Sequence, residues 1–250
     1  MQRAVDRGFW ISWHDLPKET EGEHIAWLHG TYIPKILSRP GVLWAAHFKT
    51  VLTAPGTHML RTKDPAVPTG SDYVLVFGGE STMAFTKGVD AFRNGAASRL
   101  DRDLSGHDKQ MLAMRKGERQ CVLTEEIRVH GANHKAVDTM PPGPCIQLGS
   151  FNCPPESEDQ LLAWYADFRL PAVQEAPEFI GARKLLATSG WVKHVIMYEF
   201  SSRDARERVQ AEVERRHPDS IAWTKEFIPA LTHAPRSPVL AERIWPPAVG

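Results

Sequence analysis

Among the eleven histidines of this 250-residue chain, His14, His29, His47 and His194 stand where they could do chemistry. A neutral imidazole can take a proton from a phenol, an alcohol or a carbon acid near neutral pH. A tyrosine or arginine beside it can hold the oxyanion that results. His29 and Tyr32 are three residues apart and so occupy adjacent positions on one helix face. His130, His134 and Asp138 have a spacing that could bind a metal on a helix, but they lie in a stretch that reads as a linker. No GxGxxG follows a strand, no Walker loop or HExxH occurs, and Gly78-Gly79-Glu80-Ser81 lacks the flanking glycines of a nucleophile elbow. The residues therefore point to proton transfer without a cofactor.

The segment that positions most of these groups occurs twice. Phe9 to His47 reappears without a gap as Ile146 to Lys184, at a constant offset of 137, with Pro17/Pro154, Trp27/Trp164, Pro34/Pro171 and Pro40/Pro177 among eight identities in 39 positions. A repeat of this length is one structural unit used twice. Each copy reads as a strand (Phe9 to His14; Ile146 to Phe151), an amphipathic helix (about Glu21 to Ser38; Glu158 to Ala176) and a second strand (Val42 to Val51; Phe179 to Ala187). Pro34 and Pro171 must kink or interrupt those helices, because proline has no N–H to give. Third strands follow at Tyr73 to Phe77 and His194 to Tyr198, at an offset of 121, so the first unit carries 137 − 121 = 16 extra residues within the loop 52–70. Charge-rich helical segments (Thr82 to Lys116; Ser202 to Leu231) and closing strands (Val122 to Ile127; Val239 to Ile244) complete two βαββαβ units. They span residues 1–130 and 145–250, joined by a linker at 131–144.

Thirty basic and thirty acidic residues leave no global charge to draw nucleic acid or an anionic membrane surface, and no stretch approaches a membrane span. Three cysteines without CxxC spacing suit a reducing compartment and buried positions, so a cytoplasmic protein is expected. Strand alternation puts Phe9, Ile11 and Trp13 on an apolar face suited to the helices. Mixed faces then collect His14, His194, Arg183, Tyr73, Tyr198, Trp10 and Trp44 in an aromatic-lined pocket of the kind small molecules use. A second candidate site lies between the first helix and the sheet, around His29, Tyr32 and His47. The copies differ at His14/Phe151, His29/Ala166, Tyr32/Arg169 and His47/Lys184, so the first unit is the one expected to keep catalytic groups.

Two such units, each with helices on one sheet face, bury their bare faces by packing sheet to sheet as a pseudo-dimeric barrel. The chain resembles the dimeric α+β barrel superfamily in a fused, tandem form. The run TYIPKILSRPGVLWAAHF, with a proline inside the helix followed by Pro-Gly and a strand, looks like that of the EthD-like branch. A histidine often found there two residues before the helix proline is replaced by Tyr32 and Arg169. The resemblance implies an enzyme acting without a cofactor on a small aromatic or apolar molecule by elimination, decarboxylation or isomerisation. The catalytic candidates are His14, His29, Tyr32, Arg183, His194 and Tyr198, and the substrate-binding candidates are Trp10, Trp44, His47, Tyr73 and Gln147. Alternatives are a haem-binding, chlorite-dismutase-like protein with His194 or His217 as ligand, a cofactor-free monooxygenase, or a non-catalytic binding protein. Exposed sheet edges would permit a homodimer.

Overall fold

A computed structural model of the chain describes residues 5–53, 59–85, 103–132 and 140–247. In order, the chain forms β1 (Gly8–Asp15), a helical segment α1 (21–37), β2 (Val42–Thr53), a short β3 (Leu60–Arg61), β4 (Tyr73–Gly79), α2 (Gly106–Ala113) and β5 (Lys116–His130). There follow β6 (Cys145–Asn152), a helical segment α3 (158–174), β7 (Phe179–Ser189), β8 (His194–Phe200), α4 (Arg203–Arg216), α5 (Pro218–Phe227), β9 (Thr232–His233) and β10 (Val239–Trp245). Residues 54–58 of the expected loop, 86–102 of the expected helical stretch and 133–139 of the expected linker, with His134 and Asp138, lie outside the described residues.

The strands pair in the order β2-β4-β1-β5-β7-β8-β6-β10, and β10 pairs back on β2. The result is a closed antiparallel barrel of eight strands in a mixed α+β fold. Within each half the order is second, third, first and fourth strand. The two sheets were expected to meet face to face; in the structure they are also joined edge to edge, by β5 on β7 and β10 on β2. That is why β5 runs for 15 residues, well beyond the expected Val122 to Ile127: it pairs with β1 on one side and β7 on the other. Because the barrel is closed, the sheet edges on which a homodimer was argued are already paired. No helix among the described residues is long and apolar enough to cross a membrane.

The expected orientation of the strand faces is inverted. Phe9, Ile11 and Trp13 do not face the helices; with Val74, Val76, Ile146, Leu148, Val195 and Met197 they fill the barrel interior. A period of two shows which residues share a face, but it does not show which face is inside. Here both faces are covered, so apolarity could not decide. Trp10, Leu75 and Phe77 instead meet Trp27, Leu28, Tyr32, Ile33 and Ile36 of α1. The second half has its own sheet–helix core around Trp164, Tyr165 and Leu170. The three cysteines are buried and unpaired, as expected.

The prolines act on their helices through a widened turn. Leu28–Tyr32 and Trp164–Arg169 are π-helical, and the N–H of Ile33 and of Leu170 donate to Leu28 O and Tyr165 O, five residues back. Each turn ends two residues before the proline, where the ladder must change. The wide turn sets His29 and Tyr32 in one half and Arg169 in the other.

A tight contact locks β4 to β2. A Cβ added to Gly78 would lie 2.1 Å from the Trp44 indole, whose Nε1 donates to Asp6 Oδ2 at 2.7 Å. Gly78→Ala is therefore expected to lower unfolding free energy by about 1–3 kcal/mol through overpacking, with an unchanged urea m-value. Urea unfolding followed by tryptophan fluorescence checks this; an unaltered midpoint would show that the indole yields freely.

Candidate active site

Neighbouring strands bring three helix-side residues of the first half together. His14 on β1 pairs with Tyr73 on β4, and His47 projects beside them from β2. The His14 and His47 rings are stacked with centroids 6.1 Å apart and planes 9° from parallel. Tyr73 stacks on both, at 5.8 Å from His14 and 5.3 Å from His47. From the π-turn of α1, His29 reaches down so that its Nε2 lies 2.9 Å from His47 Nδ1, where the two imidazoles share a proton. His29 is half-buried and His47 and His14 are fully buried, so a file of imidazoles leads from the surface to the sheet.

The inner end is anchored by charge. Ser12 Oγ lies 3.3 Å from His14 Nδ1 and donates to Glu118 Oε1 at 2.5 Å. Arg115 Nη1 donates to the same carboxylate at 2.7 Å, and Arg115 Nε lies 3.5 Å from His24 Nε2. The guanidinium also sits over the Tyr32 ring at 5.9 Å. Tyr73 donates its hydroxyl to Glu21, which Lys49 also binds. His14 Nε2, His47 Nε2 and Arg115 Nη2 are all buried without a hydrogen-bond partner. An unsatisfied buried polar atom carries a desolvation penalty, and these three belong to side chains of the same half.

Burial, reinforced by Arg115 and by the neighbouring imidazoles, holds His14 and His47 well below the usual histidine range. For His47 the nearest imidazole contribution comes from His29, which burial alone also lowers. Burial and Arg115 bring His24 down to about 4. Burial, with the bond to Glu21, raises Tyr73, which stays a protonated donor. At neutral pH the file is therefore uncharged, each ring keeping one unprotonated nitrogen, of which the His29–His47 hydrogen bond uses one, beside an arginine.

The structure divides the expected pocket residues into three groups. His14 and Tyr73 join the file with His29, His47 and Tyr32, while Trp10 packs in the same half against Phe77. Trp44 and Arg183 lie on the interior side, where Arg183 sits under the Phe9 and Trp44 rings and binds Asp6 at 2.8 Å and Glu199 at 2.9 Å. Arg183 is thus on the opposite face of the sheet from these histidines, whereas Arg115 lies on theirs, beside His24 and Tyr32. His194, Tyr198 and Gln147 lie on the helix side of the second half. There Lys184 Nζ lies 2.9 Å from His194 Nδ1 and donates to Glu126 at 2.8 Å; burial first, then Lys184, brings His194 to about 4. Gln147 and Tyr198 line a separate cavity of about 780 Å³, which His194 does not.

Sequence reasoning missed His24, Arg115 and Glu118. His24 had a signal, since it precedes Trp27 and Leu28 by three and four residues on the apolar helix face. Arg115 and Glu118 had none, being about a hundred residues from His14 in a charge-rich stretch. Among the described residues no group of three or more His, Cys, Asp or Glu side chains is arranged to hold a metal ion.

Comparison with solved structures identifies the fold. The chain superposes on an anthrone oxidase-like protein with a TM-score of 0.62 at 10% identity, covering 97% of this chain and 92% of that one. A candidate monooxygenase from Fusobacterium nucleatum subsp. nucleatum gives 0.56 at 11% identity, covering 97% and 96%. A candidate chlorite dismutase gives 0.56 at 8% identity, covering 96% and 95%. This is the dimeric α+β barrel fold. Identities this low carry architecture and not chemistry. The sequence matches no family profile and no curated protein.

The depressed histidines have a consequence for stability. Between about pH 6.5 and 4 the unfolded chain binds a proton at His24 that the folded chain refuses, so stability falls as pH falls through that window. Replacing His24 by Gln is expected to shrink the loss of unfolding free energy between pH 7 and pH 5 by about 2 kcal/mol. Urea titrations of both proteins at the two pH values measure it; an identical loss would place the His24 pKa at its unfolded value.

Proposed function

We propose that the protein is an enzyme that removes a proton from a small, aromatic or apolar molecule. The base is a neutral imidazole of the His29–His47–His14 file, and Arg115 holds the negative charge that develops. The observation that carries this reading is the set of three unpartnered buried atoms, His14 Nε2, His47 Nε2 and Arg115 Nη2, around neutral imidazoles. The bare nitrogen of His47 takes the proton. Its Nδ1 contact to His29 gives that proton a route toward solvent, because His29 is half-buried. Elimination, decarboxylation or isomerisation would follow from such an anion.

A second fate for the anion is favoured by the names of the fold neighbours, an anthrone oxidase-like protein and a candidate monooxygenase. With dioxygen as co-substrate, the electron pair left by the proton attacks the oxygen molecule to give a hydroperoxide, and loss of water leaves a ketone. One methylene group and one dioxygen thus become one carbonyl group and one water, the carbon being oxidised and the oxygen reduced, with both C–H hydrogens ending in the water. The haem reading fits the two histidines named for it poorly. Neither histidine expected as its ligand lines the large cavity: His194 is held by Lys184, and His217 pairs at the surface with Glu175 at 3.1 Å. No step is routed through haem.

We also read the halves, 1–130 and 145–250 with a linker at 131–144, as tandem ferredoxin-like units of the EthD-like branch, supported by the repeated strand order and proline-bearing helices. Three buried, unpaired thiols suit the reducing cytoplasm.

Anthrone distinguishes the two fates. Incubated with the protein in deuterated water without oxygen, it is expected to exchange its acidic C–H faster than in buffer, and His47→Gln is expected to slow the catalysed part by about 10²–10⁴-fold. Oxygen uptake on admitting air identifies the oxidative branch. Exchange at the buffer rate with anthrone and with a panel of aromatic ketones and phenols, or exchange untouched by His47→Gln, would remove the file from catalysis.

A further inference from the structure

The second half repeats the first, yet three positions that pack the first core line a cavity in the second. Strand register fixes the equivalence: Trp10 pairs with Phe77 across β1 and β4, as Gln147 pairs with Tyr198 across β6 and β8. Tyr32 and Arg169 each end the π-turn of their helix. In the first half Trp10 and Tyr32 pack on Phe77, with ring centroids 5.7 and 6.4 Å apart, and all three are buried. In the second half Gln147, Arg169 and Tyr198 line the cavity of about 780 Å³ between the sheet and α3, α4 and α5. Giving up two packed aromatics for polar groups, and adding a hydroxyl to the third, beside a cavity weakens a core, and such local violations of the folding pattern mark functional sites.

The lining says what would fill it. Its walls are aromatic and aliphatic, from Phe151, Tyr165, Ile196 and Ile228. Its cations are incompletely matched. Arg169 donates from Nε to the Tyr198 hydroxyl at 3.2 Å and sits over that ring, and among the described residues no carboxylate lies within ion-pair distance of it. Lys225, at the rim, likewise has no described ion pair, whereas Arg206 is occupied by Gln147 and Glu207. The one acid in the lining, Glu214, accepts from Gln210 at 2.7 Å. Burial, with Tyr198 adding to it, raises the Tyr165 phenol, which stays protonated and able to donate. An apolar chamber with a guanidinium lacking a carboxylate and two phenols is complementary to an aromatic acid.

We propose that this cavity is a second ligand site, separate from the histidine file, that binds a small aromatic molecule bearing one carboxylate, with the carboxylate on Arg169 and the ring against Phe151 and Ile196. The site does not depend on the proton-transfer reading of the first half.

Calorimetric titration at pH 7 with 2-naphthoate and with its neutral counterpart 2-naphthalenemethanol tests it. The wild type is expected to bind the acid more tightly than the alcohol. Arg169→Gln is expected to weaken the acid about tenfold or more, the range of a lost charged hydrogen bond, and to leave the alcohol unchanged. Arg169→Lys keeps a cation and is expected to recover part of the loss. His47→Gln, in the other half, is expected to bind the acid as the wild type does. If Arg169→Gln does not fold, Tyr198→Phe, which removes only the hydroxyl that orients the guanidinium, carries the test with a loss of a few fold. Equal affinity for acid and alcohol, binding indifferent to Arg169, loss in His47→Gln, or no binding of naphthoate by folded wild type would each overturn the proposal.

Discussion

Closure of the barrel turns one face of each of its eight strands inward and the other toward the helices, and the positions of the chemically able residues follow from that constraint. The interior is shared by both halves and is packed with aliphatic and aromatic side chains, so it admits few polar groups. The outer face is covered by a single layer of helices, and a side chain there can reach solvent through that layer. His29 illustrates the geometry: it hangs from the helix, half in water, and touches His47 on the sheet beneath. A base buried inside the barrel would have no such path for its proton.

Closure depends in turn on the seam where β5 meets β7. Asp6, from the chain just before β1, binds Arg128 of β5 and Arg183 of β7, each at 2.8 Å, and Arg183 reaches Glu199 of β8. Glu199 also accepts the Gly143 N–H at 2.9 Å, which ties down the segment that leads into β6. Removing charges from water offsets most of the attraction between them, so this group adds little net stability compared with apolar packing. Its effect is on register. Apolar strands slide past one another at small cost, whereas a slip of one residue would strand these buried charges.

Much of this was legible from the repeat. A constant offset over 39 positions fixes a duplicated strand–helix–strand unit, and the shift from 137 to 121 locates an insertion without any structure. The proline positions announce an interrupted helix, though not that the interruption is a π-turn. What the pattern could not supply was orientation. With helices outside and a second sheet inside, both faces of β1 are apolar enough to be buried, and the richer hydrophobic face, Phe9-Ile11-Trp13, goes to the larger core. That inversion separated Trp44 and Arg183 from the histidines they were grouped with, and it turned the secondary helix–sheet site into the place where the imidazoles meet. Arg115 and Glu118 were invisible because their meaning is wholly tertiary: the start of β5 and the residue just before it bring them alongside β1, and no local spacing records that pairing.

The two halves show how one frame can serve opposite electrostatic ends. In the first, burial drives four imidazoles toward neutrality while Arg115, which cannot lose its charge, remains beside them. Lowering a histidine in this way weakens it as a base but keeps it deprotonated at every pH above the depressed value, so the group is always armed. A bound neutral acid can then transfer its proton only if the product anion is stabilised on the spot, and a guanidinium with a spare N–H is the group that does so. In the second half, Phe151 and Ala166 replace two of the imidazoles, Lys184 replaces His47, and the cation Arg169 stands where Tyr32 closed the core. Neutral bases beside one arginine favour making an anion; an arginine with no described carboxylate partner, among phenols, favours holding one that already exists. The same strand register and the same widened helical turn position both, and the difference between them resides in a handful of side chains.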